Sequence, residues 1–180
     1  MNMTFDEQKK LAEEVLGRMA VRVWVENGSV IAMVDTRYII KALTDLRDHD
    51  ETQLDVLTFM TAVDYTPREP RFTMVYELYS TSLRFRVRVQ CQLADTGNEN
   101  ELPEIDSVSS VYRTAEWHER ECYDLMGITF TGHPDLRRIL LPENWDGHPL
   151  RKEYPFDGKR TWKPGCNVID SQRMEGDLGL

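Results

Sequence analysis

The apolar positions of the first fifty residues predict a helix, a hairpin and a second helix. The stretch Thr4–Met19 opens with a Thr-x-x-Glu capping box, and apolar residues follow at helical intervals. Valines at alternate positions then lead to the dipeptide Asn27-Gly28, which favours a two-residue turn between strands. Over Thr36–His49 the apolar residues again fall on one side of a helix. These elements make up the first part of the predicted fold.

Three strands are predicted next. Leu54–Val63 is almost continuously apolar, while Arg71–Tyr79 and Leu83–Leu93 alternate between apolar and polar positions. The order of helices and strands predicts an α+β fold, in which one mixed or antiparallel sheet has helices packed on one face.

The last predicted strand carries a stripe of arginines. Arg84, Arg86 and Arg88 share one face of it, and apolar side chains share the other. Such a stripe could bind an anion, but we favour the solvated face of a half-covered antiparallel sheet.

The pattern changes after the third predicted helix. Thr114 is placed to cap a helix that runs to Met126, and Gly127 suits the position that ends it. Beyond it the helical and strand periods stop, and prolines recur about every ten residues. We therefore predict an α/β core domain over residues 1–141 and an extended partner-binding arm over 142–180.

Composition and charge narrow the function classes. The chain has 180 residues and a net charge of -9, which argues against nucleic acid as the main partner. Its longest apolar run is only Val30–Val34, so any membrane association is expected to come through a partner. Residues 133–163 hold seven basic and five acidic residues, and so could face an acidic partner surface.

The cysteines give little support to a metal site. Cys91, Cys122 and Cys166 form no CxxC pair, so we expect this chain to hold no zinc ribbon or iron–sulfur cluster. A small zinc hydrolase is the alternative from another class. His118 and Cys122 would bind zinc from one helical face, with Glu119 as the general base. The third ligand would have to come from one of two histidines, His133 or His148.

A structural interpretation explains the same charges better. Glu116, Arg120 and Asp124 follow one another at four-residue steps, so they could form an acid–base–acid row along the helix. A buried arginine in such a row would need both of its acidic partners. The residues thus favour structure and recognition over catalysis.

Two longer motifs are specific enough to be compared with the signature of a protein family. Residues 119–121, 124–128 and 133–140 read ERE, DLMGI and HPDLRRIL, and residues 147–156 read GHPLRKEYPF. Together they resemble the signature of the thirty-kilodalton subunit family of respiratory complex I, the family of NADH-quinone oxidoreductase C subunits. Cys122 departs from the aliphatic residue common there, and the chain after Phe156 departs from the commoner ending.

The resemblance implies a scaffold subunit without catalytic groups of its own. It implies that FMN and iron–sulfur clusters lie in partner subunits of the complex. It also implies that the D subunit is the main partner, that the B subunit is close by, and that the chain sits peripherally on the cytoplasmic side of the inner membrane. A related subunit of a membrane-bound hydrogenase or formate hydrogenlyase is the alternative. Structural or interface roles are implied for Glu119, Arg120, Glu121, Asp124, His133, Asp135, Arg137, Arg138, His148, Arg151, Lys152 and Tyr154.

Overall fold

The computed structural model of the protein describes residues 3–98 and 101–155. The helices of this part are α1 (Phe5–Leu16), α2 (Ile39–Asp48) and α3 (Ala115–Met126). Its strands are β1 (Ala20–Glu26), β2 (Ser29–Val34), β3 (Val56–Asp64), β4 (Phe72–Tyr79), β5 (Arg86–Leu93), β6 (Glu104–Asp106) and β7 (Thr129–Thr131). Short 3-10 helices lie over Gly17–Met19 and Thr36–Tyr38.

The capping box and the turn dipeptide predicted in the first part of the chain are both present in the structure. Thr4 and Glu7 form the capping box, since each side chain accepts a hydrogen bond from the backbone N–H of the other residue. Between β1 and β2, Asn27 and Gly28 have φ of 50° and 72°. Two successive positive φ angles are those of a type I′ turn, which matches the twist of the flanking strands.

Five strands form one mixed sheet in the order β1-β2-β5-β4-β3. Only the β2–β5 pair is parallel, and the other three pairs are antiparallel. The predicted fold class, a mixed sheet with helices, is therefore confirmed.

The core lies between one face of this sheet and the helices. Side chains at alternate positions of each central strand point into it, including Tyr76 and Val89, and they meet Leu16, Leu43 and Cys122 from the helices. Fully burying one such side chain stabilises the fold by about 1.5–3 kcal/mol. α3 packs on the edge strand β3 and partly covers it. The Thr114 hydroxyl, expected to cap this helix, instead donates to the Leu57 carbonyl of β3 at 3.2 Å.

The structure corrects two parts of the sequence-based prediction. β5 begins at Arg86, and Arg84 lies in the preceding loop with φ of 54°. The arginine stripe on this strand is therefore reduced to Arg86 and Arg88. In addition, β6 and β7 pair in parallel as a separate two-stranded sheet that no sequence pattern indicated.

The C-terminal part is described only up to residue 155. Residues 142–155 contain turns and no helix or strand, and the remainder of the predicted arm, 156–180, lies outside the described residues. The boundary at residue 141 stays a prediction. Within the described ranges, no helix combines the length and the apolar character needed to cross a membrane.

Candidate interface site on the third helix

Glu119 lies on the buried side of α3 and is fully enclosed. Its Oε2 accepts a hydrogen bond from the Ser107 hydroxyl at 2.6 Å, and its Oε1 accepts one from the Val108 N–H at 2.8 Å. Burial raises the pKa of this carboxyl above its ordinary value, although both hydrogen bonds and the nearby His133 oppose the rise. The carboxyl thus fastens the segment before α3 to the helix.

Arg120 does not form the predicted row with Glu116 and Asp124. Its guanidinium instead donates to the carbonyl oxygens of Arg137 and Arg138, at 3.1 and 2.9 Å. The predicted row does not form, because the loop after α3 folds back onto the helix and its carbonyl oxygens accept the hydrogen bonds of Arg120. This arginine therefore stabilises a loop and not the helix alone.

Asp124 binds the same loop from the next turn of α3. One carboxylate oxygen pairs with the Arg138 guanidinium at 2.8 Å. The other accepts three backbone N–H groups, from Ile139, Leu140 and Leu141, at 2.7 to 3.0 Å. Burial acts to raise the pKa of Asp124, but these four donors outweigh it and hold the pKa below its usual value. Asp124 is therefore an ionised anchor.

His133 ties the first residues of this loop to α3. Its Nδ1 accepts the Asp135 N–H at 3.0 Å, so Nε2 carries the proton and donates to the Glu116 carbonyl at 3.0 Å. The same Nε2 is 3.9 Å from the Glu119 carboxylate. Asp135 and Arg137 form an exposed ion pair at 2.8 Å on the outer side of the loop.

Residues 133–153, which we call the clasp, also grip the end of α3. The His148 ring donates to the Asp124 carbonyl at 2.9 Å, and the Arg151 guanidinium donates to the carbonyls of Met126 and Gly127 at 2.7 and 2.9 Å. Gly127 has φ of 67°, and a Cβ there would lie 2.4 Å from the His148 ring. Glycine is required both by the left-handed backbone and by this close approach.

A second cluster, which the sequence did not indicate, ties the clasp to the sheet. The Arg71 guanidinium pairs with Asp64 at 2.8 Å, with Asp95 at 2.6 Å and with Glu153 of the clasp. Asp64 also accepts the Lys152 N–H at 3.0 Å. Burial acts to raise the pKa of Asp64, but the donors from Arg71, Lys152 and Thr66 together lower it. One signal was available in the sequence, because Asp64 directly follows the predicted strand Leu54–Val63 and Arg71 begins the next one.

The zinc-hydrolase alternative finds no support in this geometry. Cys122 is buried, and burial raises the pKa of its thiol to about 12, which opposes formation of the thiolate that zinc binds. His118 lies against the Phe59 ring at 6.1 Å, and Glu119 is engaged elsewhere. Among the described residues, no group of three or more His, Cys, Asp or Glu side chains could hold a metal ion.

Comparisons with known proteins decide the family. A family model described as the respiratory-chain NADH dehydrogenase, 30 Kd subunit, matches residues 32–160. The chain belongs to this family. The NADH-quinone oxidoreductase C 2 subunit of Rhizobium etli (strain CIAT 652) is 43% identical over 132 residues, which are 73% of this chain and 67% of the relative.

Other members of the 30-kDa subunit family match to a similar degree. The NADH-quinone oxidoreductase C subunit of Geotalea uraniireducens (strain Rf4) is 44% identical over 131 residues, covering 73% of this chain and 76% of its own length. The C subunit of Saccharopolyspora erythraea is 39% identical over 158 residues, which cover 87% of this chain. The chain thus spans only 59% of that last relative.

A solved structure supports the fold independently. One chain of the membrane-bound sulfane sulfur reductase, an archaeal respiratory membrane complex, superposes with a TM-score of 0.67. The match covers 90% of this chain and 92% of that chain, at 19% identity. At this identity the likeness shows the fold alone.

The remaining family-motif residues lie on the outer side of the site. Glu121 is exposed on α3, and the Lys152 and Glu153 side chains are also exposed or partly exposed. Tyr154 is half-buried, and its N–H donates to the Arg151 carbonyl at 3.0 Å. The interface roles implied for these residues stay predictions.

Large apolar side chains lie exposed at the same site. Trp117 on α3 is 62% exposed, Leu140 64% and Leu150 57%. The Arg120 guanidinium lies 5.3 Å from the centre of the Trp117 ring, next to the loop carbonyls that it binds. Exposed Trp and Leu beside Arg is a composition enriched in protein–protein interfaces.

Proposed function

We propose that the chain is a non-catalytic core subunit of the peripheral arm of NADH-quinone oxidoreductase. In this role it scaffolds the quinone-reducing module during electron transfer from NADH to quinone. One observation carries the proposal beyond the family: the buried acids and bases of the signature motif, Glu119, Arg120 and Asp124, are hydrogen-bonded within this chain. Groups held in this way fix the shape of a surface.

We propose the partners for the same site. The D subunit of the complex is proposed to bind the exposed apolar residues of α3 and the clasp, with the B subunit close by. FMN and the iron–sulfur clusters belong to partner subunits in this arrangement, and the chain is peripheral to the cytoplasmic side of the inner membrane. The local excess of basic residues in 133–163 supports an acidic partner surface there. The relatives are named as C subunits of NADH-quinone oxidoreductase, and so the hydrogenase alternative is not favoured.

Native purification of the tagged full-length chain tests this proposal. We expect the D subunit and the iron–sulfur and flavin polypeptides of the complex to be recovered with it, identified by mass spectrometry. The chain purified alone should have no visible flavin or cluster absorbance. A folded chain that carries such a spectrum by itself, or that is recovered without any of these polypeptides, would refute the proposal.

The interface with the D subunit is tested by one exposed residue. Trp117→Ala removes the largest exposed apolar side chain of α3, and its partial exposure means that the fold should be retained. We expect recovery of the D subunit to fall by about tenfold or more, as for an interface hot spot. Val21→Ala is the control, because Val21 is 72% exposed at the distant edge strand β1.

A further inference from the structure

Strand β2 has apolar side chains on both faces of the sheet. Val30, Ala32 and Val34 point into the core. Ile31 and Met33 point to the opposite face, where Ile31 is only 3% exposed and Met33 is partly buried. β2 also forms the only parallel pair of the five-stranded sheet, with β5. A continuous apolar run is typical of strands that are covered on both faces, whereas the helices of the described part of this chain cover one.

The pairing register shows what lies on this opposite face, which we call the open face. One row across the sheet joins Ile31 of β2 to Arg88, Glu77 and Phe59, and the next joins Met33 to Gln90, Val75 and Thr61. On the outer side of Ile31 and Met33 the rows end in Trp24 and Arg22 of β1. The middle of the open face therefore alternates apolar and polar side chains. Its charged groups are the Arg88–Glu77 ion pair, Glu26 beside Trp24, and the arginines Arg22 and Arg86.

Two of these arginines are held in place without an acidic partner. The Arg22 guanidinium lies 5.2 Å from the centre of the Trp24 ring, and the Arg86 guanidinium lies 5.2 Å from the centre of the Tyr79 ring. Within residues 3–98 and 101–155, the ion pairs include no carboxylate for either of them, whereas Arg88 pairs with Glu77. These arginines are exposed on a chain whose net charge is -9.

We propose that the open face is a second interface, covered by an amphipathic helix of another subunit of the complex. The partly exposed side chains of Trp24 and Met33 offer apolar contacts to such a helix, and sheets in α+β folds are covered by helices. The two stacked guanidiniums select carboxylates on the helix, because fixed positive groups favour an acidic partner. This inference rests on the proposed function and adds a contact that does not involve α3 or the clasp.

The register also limits the spacing of those carboxylates. Arg22 and Arg86 are two strands apart and four residues apart along the strand direction, as read from the pairing of Met33 with Gln90. With ~4.8 Å between strands and ~3.3 Å per residue, their backbones are roughly 16 Å apart. A helix covers that distance in about 11 residues. We therefore expect two acidic residues about three turns apart on the covering helix.

Charge reversal in the full-length chain tests the inference. The double variant Arg22→Glu, Arg86→Glu is compared with Arg18→Glu, an exposed arginine outside the sheet. Both should fold, as checked by circular dichroism and thermal melting, because all three side chains are exposed. We expect the double variant to recover about tenfold less of the other complex subunits at low salt, and the control to match the wild type.

A photo-activated cross-linker placed at Met33 in the assembled complex identifies the occupant. The inference predicts a cross-link to a helix of another subunit that has acidic residues about 11 positions apart. Cross-links confined to a second copy of this chain, or full recovery of the subunits by the double variant, would overturn it and leave the proposed function standing. Failure of the wild-type chain to recover the subunits would overturn both.

Discussion

At the scale of single residues, Asp124 has the largest number of partners in the site. Its carboxylate is fully buried and binds one guanidinium and three backbone N–H groups. An asparagine in its place has no charge to pair with Arg138. Its NH₂ group would also face either that guanidinium or the backbone N–H groups, which are donors themselves. Breaking a buried ion pair from one side costs far more than removing an exposed charge.

Asp124→Asn is therefore expected to lower the free energy of unfolding by about 3 kcal/mol. Glu121→Gln on the exposed side of the same helix is the control, with an expected change below about 0.5 kcal/mol. Because the folded pKa of Asp124 is lowered, its contribution is present above the unfolded value of about 3.9 and is lost as pH falls through the folded pKa. In urea unfolding, the difference in unfolding free energy between the wild type and Asp124→Asn should become smaller as the pH is lowered. Equal effects of both substitutions would mean that this anchor contributes little.

Glu119 is expected to show the opposite pH dependence. Its folded pKa is raised, so the stability it contributes is fully present below the unfolded value of about 4.3 and is lost as pH rises through the folded pKa. Glu119→Gln cannot ionise, and the groups facing it, Ser107, Val108 and His133, are unchanged. The variant should thus gain stability relative to wild type in urea unfolding as the pH rises above about 4.3. A difference that does not change with pH would show that burial leaves this pKa at its ordinary value.

At the scale of elements, local signals were predicted well and contacts between distant segments were not. The capping box, the Asn27-Gly28 turn and the Gly127 helix end depend on neighbouring residues, and all three are present. β6 and β7 are three residues each and gain their hydrogen bonds only by meeting across the intervening α3. Such strands have too few positions to show a period of two.

The partners of the charged residues could not be read from spacing for the same reason. The four-residue spacing predicts that Arg120 pairs with Glu116 and Asp124, but it binds the carbonyls of Arg137 and Arg138. Backbone carbonyls leave no trace in a sequence, since every residue has one. The residue types of the site were therefore predictable from the motif, and their contacts were not.

Gly127 tests how closely the clasp is fitted to the end of α3. Gly127→Ala places a Cβ against the His148 ring and the Arg151 guanidinium, at φ of 67°. Gly132→Ala is the matched control, because Gly132 also has a left-handed φ, 85°, but nothing lies within 4 Å of its Cβ position. Both variants lose about 1–2 kcal/mol from the backbone.

We expect Gly127→Ala to lose a further ~1–3 kcal/mol, because two side chains of the clasp must move. Equilibrium unfolding of both full-length variants in urea measures the difference. If they are equally stable, the clasp can shift without cost, and His148 and Arg151 do not fix the end of α3.

At the scale of the whole molecule, the clasp connects the end of α3 to the sheet, where the end of β3 meets the start of β4. Within the described residues it binds Asp124, Met126 and Gly127 at the end of the helix, and Asp64 and Arg71 at the ends of β3 and β4. The sequence predicted that residues 1–141 would be an independent domain because their helices and strands are complete. Because residues 148–153 contact this core, we expect the folded domain to extend beyond residue 141.

Two truncated chains test where the core ends. A chain of residues 1–155 keeps the whole clasp, and a chain of residues 1–141 removes its second half. In the shorter chain, the carbonyls of Asp124, Met126 and Gly127 lose their hydrogen-bond donors. The Asp64–Arg71 cluster also loses the Lys152 N–H and the Glu153 carboxylate. Each of these bonds contributes about 0.5–1.5 kcal/mol, so the melting temperature of 1–141 should be roughly 10 °C below that of 1–155. Circular dichroism melts at the same pH and salt measure the difference. If both chains melt together, residue 141 is the end of the folded domain, and the clasp after it serves the partner alone.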